Sequence, residues 1–290
     1  MGVALALRKL DKLIEEAAST PIYTLGPIIH NPQVLEVYKK RGVRRITSLD
    51  AILTGSRVVI RAHGIPWKVE ESLAQRGIQL VDATCPKVKR AQLLIGRQSS
   101  LGQRLLLLGE SDHPEVKGLR SYARDDAVVF DSLEGLKATK LDPGRGHFFA
   151  AQTTQSRAVF EAVVEYLKEY LGADLPVFET ICDATIERQA EVVEIAHKVE
   201  GIIVAGGRES GNTRRLALVA EAQGVYCLHV ETATDLPLAE LAGLKTVGLT
   251  AGASTPKHII DEIEARLLET GSLNASDPSI TQHITLGEIL

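Results

Sequence analysis

Two cysteines occupy the same place in a repeated pattern, and that repeat limits what the chain can fold into more than any other feature does. Cys85 follows a strand-like run at 78–84 and opens a helical stretch, and Gly109 closes the next apolar run 24 residues later. Cys182 follows the run at 177–180, opens another helical stretch, and Gly206 again stands 24 residues on. Matched intervals of this kind mark a copied supersecondary unit. Polar loops recur at matching places too. His113 and Glu115 follow Gly109, and Gln152-Thr153-Thr154 comes 43 residues after it; Ser210-Gly211-Asn212 follows Gly206, and Thr250 to Ser254 begins 44 residues after it. Short β-rich apolar runs at 78–84, 104–108, 127–130, 147–151, 177–180, 201–205, 225–230 and 245–250 alternate with helical patterns. That alternation predicts an α/β chain with mostly parallel strands.

The first third fits the same template. A run at 22–25 ends in Gly26 and leads to His30-Asn31, and a run at 57–61 ends in Ala62-His63-Gly64. Counting back 24 residues from Gly26 puts the corresponding cysteine near the first residue, where the chain is already helical: Val3, Leu5, Leu7, Leu10, Leu13 and Ile14 keep a helix-like spacing. The expected layout is therefore a first α/β unit at 1–84, a second at 85–181, a third at 182–270 and a polar tail at 271–290. A strand ending in a cysteine is expected upstream of Met1.

Composition narrows the classes. With 290 residues the chain can bury real cores, and 44% hydrophobic against 24% charged residues excludes disordered and fibrous classes. A formal net charge of −4 gives no global positive field to gather nucleic acid or an anionic membrane, so a phosphate site has to be local. No apolar run approaches the roughly 18 residues that span a bilayer, and no leader pattern opens the chain. Three widely spaced cysteines do not make a secreted disulfide framework, which predicts a reducing, cytoplasmic setting.

The polar loops map to the carboxyl ends of strands, where open α/β sheets bind ligands. Cys85 and Cys182 lack local zinc-finger spacing; they are either packing residues or, given their repeated position, soft ligands for an iron-sulfur cluster. Cys227, inside an apolar run, reads as packing. His30, His63 and His113 each sit at a strand mouth, suited to an anion. The loop from Gly206 to Thr213 brings backbone N–H groups, Ser210 and Asn212 to a helix start, as an anion site or as a simple cap. Ser254 has the same two readings. Glu115 either favours the helix dipole or, facing a pocket, donates a proton.

These motifs together are similar to one family. Ala62-His63-Gly64, Asp82-Ala83-Thr84-Cys85-Pro86, His113-Pro114-Glu115-Val116-Lys117-Gly118, Gln152-Thr153-Thr154, Ile181-Cys182-Asp183-Ala184-Thr185 and Thr250-Ala251-Gly252-Ala253-Ser254 resemble, in order, those of the LytB-type 4-hydroxy-3-methylbut-2-enyl diphosphate reductases. The resemblance implies three α/β units arranged as a trefoil around a central pocket. It implies a 4Fe-4S cluster on Cys85 and Cys182, and a diphosphate surrounded by His30, His63, His113, Ser210, Gly211, Asn212 and Ser254. Glu115 would deliver protons with the help of Thr153, which also contacts the substrate, while a ferredoxin or flavodoxin supplies electrons. The products would be isopentenyl and dimethylallyl diphosphate, in the last step of the non-mevalonate isoprenoid pathway.

The family's first cysteine lies in Gly-Phe-Cys-x-Gly-Val, of which only Met1-Gly2-Val3 corresponds here. The chain from Met1 thus carries two of three cluster ligands, which bears on its activity. Gly211 stands where many relatives have serine. Two other readings remain. A non-catalytic diphosphate-binding protein would need neither cysteine nor Glu115, and a zinc hydrolase using His113 and Glu115 lacks a paired-histidine helix motif. The expected finding upstream of Met1 is an in-frame strand-like segment ending in Gly-Phe-Cys; an in-frame stop directly before Met1 would contradict it.

Overall fold

Among the described residues, all strand pairings in the computed structural model are parallel, in three sheets. It describes residues 2–16, 20–123, 127–241 and 243–269; the expected tail at 271–290 lies outside them. In the first sheet, β1 (Ile22–Leu25), β2 (Val43–Ile46), β3 (Arg57–Ile60) and β4 (Gln79–Asp82) take the order β2-β1-β3-β4. Its helices are α1 (Gly2–Glu16), α2 (Pro32–Lys40) and α3 (Trp67–Gln75). α1 buries Ala6, Leu10 and Leu13 on one stripe, as the spacing predicts.

The second sheet joins β5 (Arg104–Leu108), β6 (Ala127–Phe130) and β7 (His147–Ala151) in the order β6-β5-β7. Leu105 to Leu108 are fully buried, the pattern of a central parallel strand covered on both faces. α4 (Pro86–Ser100), α5 (Pro114–Ser121), α6 (Leu133–Lys137) and α7 (Arg157–Leu171) accompany it. Ala91 and Ile95 of α4 pack with Leu105, Leu107 and Phe148 on one face; on the other, Phe149 stacks between Phe130 and Phe160. The third sheet takes the order β10-β8-β9, from β8 (Gly201–Ala205), β9 (Tyr226–Val230) and β10 (Val247–Ala251). Its helices are α8 (Asp183–Ala196), α9 (Gly211–Glu221), α10 (Leu238–Leu241) and α11 (Lys257–Glu269). Among the described residues no helix is long and apolar enough to cross a membrane.

Two strand expectations change. β2 adds an edge strand that the sequence did not announce, because Arg44 and Arg45 at its centre are exposed. The run at 177–180 is not a strand but a single bridge, Phe149 to Val177. Thr180 replaces the ladder there: its hydroxyl accepts the Ala151 N–H at 2.8 Å and donates to the Ala151 carbonyl at 2.5 Å.

The chain divides into two compact bodies. One comprises the described parts of Met1–Ile28 with Val37–Cys182; the other comprises Ile29–Glu36 with the described part of Asp183–Leu290. In the first body, β4 pairs with β3 while α4 covers the second sheet, so Cys85 lies at the junction where one sheet's last strand passes into the next sheet's first helix. Phe149 is fully buried, and Phe149→Ala is expected to cost about 3–5 kcal/mol, read as a lowered urea midpoint at unchanged m-value.

Candidate active site

In the first body, the register between β5 and β7 sets Leu108 opposite Ala151, so the loops that follow both strands emerge side by side. The Gln152 N–H donates to the Leu108 carbonyl at 2.8 Å, and its side-chain carbonyl accepts the Glu110 N–H at 3.1 Å. That ties the loop after β5 to the loop after β7. α5 then starts with Pro114 at its first position and His113 as its cap, the His113 Nδ1 accepting the Glu115 N–H at 3.2 Å.

Glu115, one residue further, is 1% exposed. Thr153 holds it with two hydrogen bonds: its N–H donates to Oε1 at 2.6 Å and its hydroxyl to Oε2 at 3.0 Å. Burial pushes the Glu115 carboxyl up to about 7, the two Thr153 donors offsetting part of the rise. At neutral pH the group is thus divided between acid and carboxylate, the condition for a general acid. The Thr153 carbonyl accepts the Cys182 N–H at 2.9 Å. One threonine therefore links the buried acid to a cysteine. His63 meets His113 edge to face, with ring centroids 5.4 Å apart.

Cys85 caps α4, and its N–H donates to the Ala62 carbonyl at 2.9 Å, which sets it beside the His63 loop. Both cysteines are free and half-buried. A Cβ on Gly2 would stand 2.8 Å from the Cys85 sulfur, so the start of α1 lies against that thiol and only glycine leaves it room. Soft sulfur donors of this kind fit an iron-sulfur cluster rather than a hard cation. Cys227 packs in the third sheet, its thiol donating to the Ala217 carbonyl at 3.6 Å, and burial pushes it up to about 11.

The second body carries the rest of the expected residues. Ser210 caps α9 by accepting the Thr213 N–H at 3.3 Å, and Gly211 and Asn212 form the first turn. Ser254, in the loop before α11, donates to the His30 carbonyl at 3.3 Å. A Cβ on Gly207 would meet that same carbonyl at 2.5 Å, which explains the glycine. The buried Asn212 Nδ2 makes no hydrogen bond. His30, Ser210 and Ser254 thus belong to one body, and His63, His113, Glu115, Thr153, Cys85 and Cys182 to the other.

The family profile described as LytB protein matches residues 1–268. The chain belongs to the LytB family. Reductases of 4-hydroxy-3-methylbut-2-enyl diphosphate from Nitratidesulfovibrio vulgaris strain Miyazaki F and from Oleidesulfovibrio alaskensis are each 57% identical to it over 270 residues, covering 93% of this chain and 95% of theirs. The solved reductase of Plasmodium falciparum superposes with a TM-score of 0.87 at 25% identity, covering 91% of this chain and 83% of its own. A second solved reductase, described as the terminal enzyme of the non-mevalonate pathway, gives 0.63 at 36% identity, with 93% and 95% covered.

In the sequence, Gln152 is named only as part of a motif and Arg61 only at the end of a run, and Gln92 is passed over. Gln152 ties two loops together, as described. Gln92 is buried on α4 between the apolar positions Val88, Ala91 and Ile95, and its amide nitrogen fills the space a side chain at Gly64 would need. A glutamine on an apolar helix stripe was the available signal. Arg61 directly follows β3, and its Nε is enclosed without a hydrogen bond.

The raised Glu115 carboxyl has a measurable consequence. Below its ordinary value of 4.5 it is protonated folded or unfolded, and as pH rises towards 7 the folded state forfeits up to about 3 kcal/mol relative to the unfolded one, with no further loss above. Glu115→Gln removes that slope. The melting-temperature difference between variant and wild type is expected to grow in the variant's favour from pH 5 to pH 8; parallel pH profiles would contradict it.

Proposed function

We propose that the protein is a 4-hydroxy-3-methylbut-2-enyl diphosphate reductase, the activity named for its relatives. Two electrons and two protons convert the allylic C–O bond into a C–H bond, water leaves, and isopentenyl or dimethylallyl diphosphate forms. The observation that carries this reading is Thr153, which holds the buried Glu115 by two donors and accepts the Cys182 N–H. Simple anion binding has no use for such a link.

When bound, a 4Fe-4S cluster held by Cys85 and Cys182 supplies electrons singly and a Lewis-acidic iron. Glu115 keeps a proton ready at neutral pH, and the Thr153 hydroxyl orients that proton's carboxyl and adjoins the substrate. His63 and His113 in the first body, and His30, Ser210, Gly211, Asn212 and Ser254 in the second, bind the diphosphate. Backbone N–H groups at the start of α9 suit that anion. Burial of Glu115 keeps bulk water from taking its proton unproductively. A ferredoxin or flavodoxin donates the electrons, in the cytoplasm.

The test is iron and acid-labile sulfide content and reductase turnover after reconstitution without oxygen. It is made on the chain from Met1 and on a version extended upstream through the cysteine that the resemblance implies. A four-iron cluster with absorbance near 400 nm is expected in the extended form and its loss in Cys85→Ser and Cys182→Ser. Glu115→Gln should keep its iron and lose turnover about a hundredfold or more. Pyrophosphate binding with no iron uptake in either form would instead favour a non-catalytic diphosphate-binding protein.

A further inference from the structure

Among the described helices, α4 alone carries cations and no acid. Lys87, Lys89, Arg90 and Arg97 stand on it without an aspartate or glutamate, in a chain whose formal net charge is −4. Every other described helix with a lysine or arginine also holds a carboxylate. Lys89 is taken by Asp82 and Glu70. Arg90 and Arg97 are exposed and form no ion pair with any described residue. Helical spacing puts Lys87, Arg90, Leu93, Leu94 and Arg97 on one face, away from the buried Val88, Ile95 and Ser99. Leu93 on that face and Leu101 at the helix end are 64% and 68% exposed, more than any other large apolar side chain among the described residues.

Between α4 and the segment at 177–180 lies a groove of about 180 Å³, wholly within the first body. Ala91, Leu94, Val177 and Phe178 make its apolar part, and Lys87 and Arg90 line its α4 side. Glu179, the one acid of the lining, is held by Arg157. Lys87 comes two residues after Cys85, and Thr180, at the other side of the lining, comes two residues before Cys182. Two residues of chain span at most about 7 Å, so the lining comes within that distance of both cysteines. Glu115 and Thr153 take no part in it. The groove thus leads to the two thiols by a route separate from the buried acid.

We propose that the exposed face of α4, with the groove beside it, is the docking surface for an acidic one-electron carrier protein, a proposal that rests on the reductase reading given above. Two reduced carriers dock in turn, and each leaves oxidised by one electron. Those two electrons, with two protons, turn the allylic C–O bond into a C–H bond and release water. Charge selects this face: an acidic partner is repelled by a chain of net charge −4 taken as a whole, and α4 is the helix that attracts it. Leu93 and Leu94 between Arg90 and Arg97 give an apolar centre with a cationic rim, the composition of a protein interface. One helix face is also the right scale for the small, short-lived contacts that electron carriers make.

The test uses the upstream-extended, reconstituted protein and an acidic plant-type 2Fe-2S ferredoxin as the probe. Titration calorimetry with oxidised ferredoxin reads docking without any electron transfer. The double variant Arg90→Glu with Arg97→Glu should bind at least about tenfold more weakly at low salt, the Arg90→Lys with Arg97→Lys pair should stay near wild type, and wild-type affinity should fall as salt rises. In turnover the charge-reversed variant should show a ferredoxin KM raised by a similar factor, while turnover driven by reduced methyl viologen, a small donor that needs no docking face, is kept or raised. Equal ferredoxin affinities in all three proteins, no ferredoxin binding by the wild type, or an equal loss of viologen-driven turnover would each overturn the proposal. So would a change in the sedimentation of the variant alone with ferredoxin affinity unchanged, which would make the face a contact between copies of this chain. Charge-dependent ferredoxin binding with no turnover from either donor would overturn the enzyme reading alone. Turnover from both donors with charge-independent ferredoxin affinity would overturn this proposal alone.

Discussion

The parallel register of β5 against β7 is the constraint on which the candidate site of the first body depends. Leu108 opposite Ala151 is imposed by the burial of both strands, since a slip by one residue would turn every core side chain to the wrong face. Everything at the strand ends inherits that register. Gln152 can brace the Glu110 loop, Thr153 can reach Glu115 across 38 residues of sequence, and Cys182 can hang from the Thr153 carbonyl. The acid is thereby positioned by the hydrophobic core of the second sheet, through hydrogen bonds that a shift of an ångström would break.

Much of the fold was legible because its central strands are saturated with apolar residues. The runs at 104–108, 127–130, 147–151 and 201–205 coincide with β5, β6, β7 and β8. Legibility fails where burial is one-sided or where a side chain replaces the backbone. Arg44 and Arg45 hide β2, and the Thr180 hydroxyl takes the place of a ladder rung after Pro176. The cysteine repeat has a physical content that spacing alone could not give: Cys85 follows the last strand of one sheet and caps a helix of the next.

The site was legible as a set of residue types but not as a set of contacts. Short polar motifs at strand ends announce His113, Glu115 and Thr153, yet nothing local says that Thr153 donates twice to Glu115, or that burial lifts that carboxyl close to neutrality. Arg61 was missed for a related reason. An arginine after an apolar run reads as an ordinary strand end, and nothing local says that its Nε is enclosed without a hydrogen bond. Gly2, Gly26 and Gly207 likewise gain meaning only from what a methyl group would strike: a thiol, a guanidinium and a carbonyl.

Enclosure of Glu115 also governs timing. A carboxyl that is 1% exposed regains a proton only through the groups that enclose it, the Thr153 hydroxyl among them. On the proposed reaction each turnover leaves it discharged. Recharging is then a step separate from product departure, paced by how often that enclosure opens.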